Sequence, residues 1–145
     1  MKYVDPDTYR KSREDAIRTM IYGQGINLSE FNRVYGIPHS TITRILHPYH
    51  SSKLETVDRV YRLLYSIAPE PIEVIGPHYD DWEDELLTVI KDYQDEMGYT
   101  TEEMCFLTGM THSLYANYIR KERRPKSSTL WKAFSAVRKR VTTMR

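Results

Sequence analysis

The chain has 145 residues, enough for one ordinary domain or two minimal ones. With 40% apolar and 28% charged residues it reads as globular, not disordered. The absence of an eighteen-residue apolar run, of an apolar leader core after Met1-Lys-Tyr-Val-Asp-Pro6, and of any cysteine besides Cys105 speaks against a membrane span, a signal peptide, an internal disulfide and a multi-cysteine zinc site. A cytoplasmic location is expected.

The first predicted element is a helix whose stripe is Ala16, Ile17, Met20 and Ile21. A second opens at the capping box Asn27-Leu-Ser-Glu30 and carries Phe31 and Val34. Gly36 ends it, because glycine takes a positive φ at little cost. The next begins at Pro38, with Ile42 and Ile45 inward. After the loop His47-Pro-Tyr-His-Ser-Ser52, a fourth shows Val57, Val60, Tyr61 and Leu64, the i, i+3, i+4, i+7 spacing of an amphipathic helix.

Residues 68–79 carry three prolines and a glycine and read as a fairly stiff linker. Ile72, Val74 and Ile75 give this linker enough apolar character to lie against a domain. A second leading helix then starts in the acidic run Asp80-Asp-Trp-Glu-Asp-Glu85 and continues through Leu86, Ile90, Tyr93 and Met97. Acids at a helix N-terminus complement its dipole, which accounts for the run without catalysis. Thr100-Thr-Glu-Glu103 is a second capping box, followed by Met104, Leu107 and Gly109. Thr111 opens a helix with Tyr115 and Tyr118 inward. The closing helix shows Leu130, Ala133, Phe134 and Val137. No strand alternation is present, so the chain is expected to be all-α.

These two sets of elements are a repeat. An offset of 73 residues aligns 12–64 with 85–137 without a gap. Identical pairs include Gly25/Gly98, Glu30/Glu103, Gly36/Gly109, His39/His112, Ser40/Ser113 and Lys53/Lys126. Charge is divided unevenly along the chain. Residues 71–111 carry eleven acids and one base, whereas residues 112–145 carry ten bases and one acid. A concentrated basic face attracts polyanions even when net charge is only +1.

The stretch Tyr99 to Leu130 resembles the core of the phage-repressor family (Cro/lambda-repressor, or XRE) of helix-turn-helix proteins. It has a capped helix, a glycine turn, a second helix, a basic loop with proline and the start of a closing helix, in that order. Ile26 to Val57 is similar to a more divergent member. The resemblance implies two tandem lambda-repressor-like helix-turn-helix domains, at 1–67 and 80–145, joined by the Pro-rich linker at 68–79. It implies a sequence-specific regulator of transcription, a repressor of phage or mobile-element type, with double-stranded DNA as partner.

In this family the helix after the turn lies in the major groove and its first residues meet base edges. Carried over position by position, His112, Ser113, Leu114 and Asn117 would face bases in the second copy. His39, Ser40, Thr41 and Arg44 would do so in the first. Arg120, Lys121, Arg123, Arg124 and Lys126 would hold phosphates, as would Lys53. His39 and His112 are equally well read as residues that cap or pack at a helix start.

The first copy departs from the pattern. It lacks the basic loop apart from Lys53. Asn32 stands where the family has a small residue and where the second copy has Cys105, so it needs a hydrogen-bond partner if buried. The first domain thus either reads a second half-site or contacts a protein. A homodimer remains open, as does a protein-binding module using the first domain or the acidic face. No enzyme is expected, since no phosphate loop, metal cluster or nucleophile elbow is present. His39, His47 and His50 match no standard ligand spacing, and no cofactor is expected.

Overall fold

A computed structural model describes residues 3–47 and 52–143. Among them the protein is all-α, with eight helices and no strand. They are α1 (Pro6–Gln24), α2 (Leu28–Tyr35), α3 (His39–Leu46), α4 (Leu54–Ile67), α5 (Tyr79–Met97), α6 (Thr101–Thr108), α7 (His112–Ile119) and α8 (Ser127–Thr143). The chain divides into two compact units, Met1–Tyr79 and Asp80–Arg145. Among the described residues no helix is long and apolar enough to cross a membrane.

Local chemistry sets where these helices start. Asp5 caps α1 by accepting the Thr8 N–H at 3.0 Å, and Pro6 follows at the first turn, where its missing N–H costs nothing. Asn27 accepts the Glu30 N–H at 3.1 Å. The box at α6 closes in both directions. Thr100 Oγ1 accepts the Glu103 N–H at 3.2 Å, and Glu103 Oε1 accepts the Thr100 N–H at 3.1 Å. Gly36 and Gly109 end α2 and α6 at φ of 65° and 75°, which lets the chain turn sharply into α3 and α7.

The helical stripes become cores. In the first unit α1 lies along α4 and touches α3. Ile17, Met20, Phe31, Ile42, Ile45, Val57 and Leu64 are buried together. In the second unit α6 packs on α7 and α8, and Leu86, Ile90, Met104, Tyr115, Leu130, Ala133 and Val137 are buried. Some apolar positions of the pattern lie outside these cores. Val34 is 57% exposed, and Met97 and Leu107 are half-buried. On α2 the core-facing stripe is Leu28, Phe31 and Tyr35, and Val34 lies about a quarter-turn off its centre.

Residues 68–79 are tied to the first unit. Ile72 and Val74 lie against its core, whereas Ile75 is exposed. Tyr61 donates to the Ile72 carbonyl at 2.5 Å, and Gln24 exchanges hydrogen bonds with Glu70 in both directions. Arg13, 1% exposed, donates to the carbonyls of Ile75 at 2.7 Å, Gly76 at 3.2 Å and Pro77 at 2.9 Å. Gly76 is needed there. Its φ is +89°, and a Cβ would lie 3.3 Å from both Tyr9 and Val4.

The 73-residue offset extends to the residues around this site, with a change of chemistry. Tyr9, Arg13 and Asp58 of the first unit correspond to Trp82, Leu86 and Trp131 of the second. In the first unit Arg13 stacks on Tyr9, 3.5 Å from its ring centre, and pairs with Asp58. In the second, Trp82 and Trp131 stack with ring centres 6.5 Å apart and planes 11° from parallel. One position set therefore holds an ion pair in one unit and an aromatic stack in the other. The polar version is matched by the carbonyls of residues 75–77, which need donors.

Candidate nucleic-acid interface

The Gly109 turn delivers the chain into α7. Thr111 caps this helix, its hydroxyl accepting the Leu114 N–H at 3.2 Å. Tyr115 and Tyr118 face the core, and Tyr115 donates to Gln94 Oε1 at 2.7 Å. Burial pushes the Tyr115 hydroxyl well above the ordinary tyrosine range, so it remains a neutral donor. With those two side chains inward, His112 and Ser113 are left exposed, and Leu114 and Asn117 half-buried. Asn117 Oδ1 accepts from Arg120 at 3.4 Å.

The basic loop follows. Its backbone closes α7 tightly: the Lys121 N–H reaches the Tyr118 carbonyl at 3.1 Å, and the Glu122 N–H reaches that of Asn117 at 2.9 Å. This places Lys121 at φ +60°.

The five basic side chains are not equivalent. Arg120 pairs with Glu122 at 3.4 Å. Lys121 pairs with Asp84 at 3.1 Å. Arg124 pairs with Asp80 and, through Nε, with Glu83 at 3.3 Å. Glu83 is only 6% exposed, so Arg124 anchors the loop to α5. Arg123 and Lys126 are exposed and make no ion pair among the described residues. The acidic start of α5, read from sequence as helix-dipole chemistry, thus also holds the basic loop by tertiary ion pairs.

In the first unit α3 exposes His39, Ser40 and Arg44, and half-buries Thr41. Pro38 precedes it without a side-chain cap. Asn32 is half-buried. Its amide nitrogen lies 3.5 Å from His39 Nδ1, whereas its Oδ1 is buried without a hydrogen-bond partner. His39 therefore has a neighbour on α2, as its reading at a helix start allows. Lys53 is exposed at the start of α4. His50 and Tyr49 lie outside the described residues. Arg18 donates to the carbonyls of Ile45 at 3.2 Å and Leu46 at 3.5 Å, satisfying the end of α3 from α1.

Cys105 is half-buried on α6, and burial raises its thiol pKa, which disfavours the reactive thiolate. Among the described residues no group of three His, Cys, Asp or Glu side chains is placed to hold a metal ion.

Sequence reasoning missed two residues. Arg13 is buried, although an arginine in an amphipathic helix ordinarily reads as solvated. Phe106 is 89% exposed on α6. Its position off the Met104–Leu107 stripe carried that signal. Comparison with protein-family models, with curated proteins and with solved structures gives no match.

Proposed function

We propose that this protein is a sequence-specific DNA-binding regulator of transcription, a repressor of phage or mobile-element type, built from two tandem helix-turn-helix domains. One observation carries the reading. A capped helix with an exposed His112–Ser113 start follows a glycine turn, and a basic loop follows that helix. In the resembling family this order sets a recognition helix into the major groove, with phosphate contacts beside it.

Within the basic loop, Arg123 and Lys126 are the residues best placed to hold phosphates, because they are exposed and make no ion pair among the described residues. Arg120, Lys121 and Arg124 would have to exchange carboxylates for phosphates. His112, Ser113, Leu114 and Asn117 are the base-facing set of the second domain. His39, Ser40, Thr41 and Arg44 are the weaker set of the first, with Lys53 as its phosphate contact.

Selection of bound duplexes from random-sequence DNA tests this directly. An enriched site is expected, and its symmetry and half-site spacing would report how many domains engage. If no sequence is enriched, the regulator reading fails.

A second reading is a protein-binding module on the same fold. It is favoured by the carboxylates that already occupy Lys121 and Arg124. Activity that survives alanine at Arg123 and Lys126 would point to it.

A further inference from the structure

Helix α6 carries a residue outside the proposed DNA contacts. A covered phenylalanine buries roughly 150–250 Å², yet Phe106 is 89% exposed. It stands beside a groove of about 420 Å³ walled by Tyr99, Leu107 and Arg140, with Glu102 and Glu103 on its rim. An adjoining hollow of about 530 Å³ shares Tyr99, Leu107 and Arg140 and runs on to Met97 and Ala136. Glu102 and Arg140 are exposed and make no ion pair with each other among the described residues.

One face of the second unit thus presents an apolar projection, an apolar hollow, an acidic edge and a basic edge. A two-fold interface needs that set. The same patch occurs on both copies, so a group i on one must meet a complementary group j on the other, and j must meet i. A partner of a single charge sign would oppose part of this rim, whereas a second copy matches all of it.

We propose that this face is a homodimer interface. Phe106 of each copy enters the Tyr99–Leu107 hollow of the other, and Glu102 of each pairs with Arg140 of the other. An aromatic side chain in a desolvated pocket is the usual anchor of such an interface, and the charged rim fixes its register.

The first unit provides a contrast within the same chain. It has an equivalent groove of about 400 Å³ along Ile26, Glu30 and Val34. At the 73-residue offset, however, Arg33 replaces Phe106 and Ile67 replaces Arg140. That groove therefore has neither the aromatic projection nor the basic wall. Pairing through the second unit alone gives a closed dimer instead of an open chain of copies. Phe106, Glu102 and Arg140 are not among the residues proposed to touch DNA, so association is measurable without DNA and stands apart from that reading.

Sedimentation equilibrium of the full chain from about 1 μM to about 1 mM provides the test. A concentration-dependent dimer is expected. Phe106→Glu should be monomeric throughout, with unchanged far-UV circular dichroism, because the side chain is already exposed. Glu102→Arg and Arg140→Glu should each weaken association, and their combination should restore it. A wild-type chain that stays monomeric overturns the proposal. So does a dimer that Phe106→Glu leaves intact with its helicity unchanged. If Phe106→Glu perturbs the fold, the charge reversals decide, and failure of the combination to restore association overturns the proposal.

Discussion

Arg13 and Asp58 lie 45 positions apart in sequence, yet the Arg13 guanidinium donates to Asp58 Oδ1 at 2.8 Å inside the first unit, both residues at 3% exposure or less. Asp58 Oδ2 accepts from Arg62 at 2.9 and 2.6 Å and from the Tyr79 N–H at 2.9 Å. Arg13 also donates to the carbonyls of residues 75–77 and, at 3.5 Å, to that of Tyr9. The pair therefore joins α1, α4 and the segment that leads into α5.

Breaking this pair from one side should be costly. Removing one partner of a buried ion pair leaves the other uncompensated, at about 3–5 kcal/mol. Arg13→Ala and Asp58→Ala are each expected to fall in that range by urea unfolding. Arg13→Ala combined with Asp58→Ala should lose less than the two single changes added together, because neither member of the buried pair is then left facing the other's absence. Additive losses would show that the pair is not coupled.

The same pair gives a pH dependence. Burial by itself would raise the Asp58 pKa, but hydrogen bonds from Arg62, Arg13 and the Tyr79 N–H outweigh it and hold the carboxyl below the ordinary aspartate value of 3.8. A carboxylate with a depressed folded pKa contributes stability that is fully present above its unfolded pKa. That contribution is lost as pH falls through the folded pKa. The Asp58 contribution to the stability of the first unit should thus be constant with pH near neutrality and be lost below about pH 4. Thermal melts at successive pH values, compared with Asp58→Asn, should show the drop in the wild type and its absence in the variant.

The acids at the start of α5 make a prediction of opposite sign about DNA. Asp80→Asn with Asp84→Asn frees Arg124 from one carboxylate and Lys121 from its partner. Affinity at low salt should rise, and the dependence of log K on log salt should steepen by up to about 0.9 for each cation freed. Arg123→Ala or Lys126→Ala should flatten it by a similar amount. Fluorescence anisotropy of a labelled duplex across salt concentrations measures both. An unchanged slope in the Asn variant would mean that the carboxylates do not compete with phosphate.

The turn into α7 predicts a modest effect. Gly109 sits at φ +75°, and a Cβ there would meet nothing within 4 Å. The cost of Gly109→Ala is therefore torsional, about 1–2 kcal/mol, without a steric addition. Gly76→Ala combines a positive φ with contacts at 3.3 Å, so it should cost more. Melting temperatures of the two variants rank them, and the reverse order would contradict this account.

Much of the helical layout was legible because local rules act over a few residues. The stripes at Ile17–Ile21, Val57–Leu64 and Leu130–Val137 repeat at helical spacing, and each became core. The caps at Asn27, Thr100 and Thr111 and the glycines at 36 and 109 are likewise local chemistry, and each ends or begins a helix as read. The candidate site was less legible. His112 and Ser113 are exposed because Tyr115 and Tyr118 face inward, which the helical period implies. Whether a loop arginine is free or held is not a matter of period.

By itself, then, the sequence determined the all-α class, the order of helices and which face of each is apolar, since backbone hydrogen bonding and side-chain period are properties of neighbours in the chain. The tertiary structure alone decided which charges are held. It buried Arg13 against Asp58, and it set Lys121 and Arg124 against carboxylates of α5 while leaving Arg123 and Lys126 open. Ion pairing depends on distances between residues about 40 apart in sequence, and only the packing of the helices sets those distances.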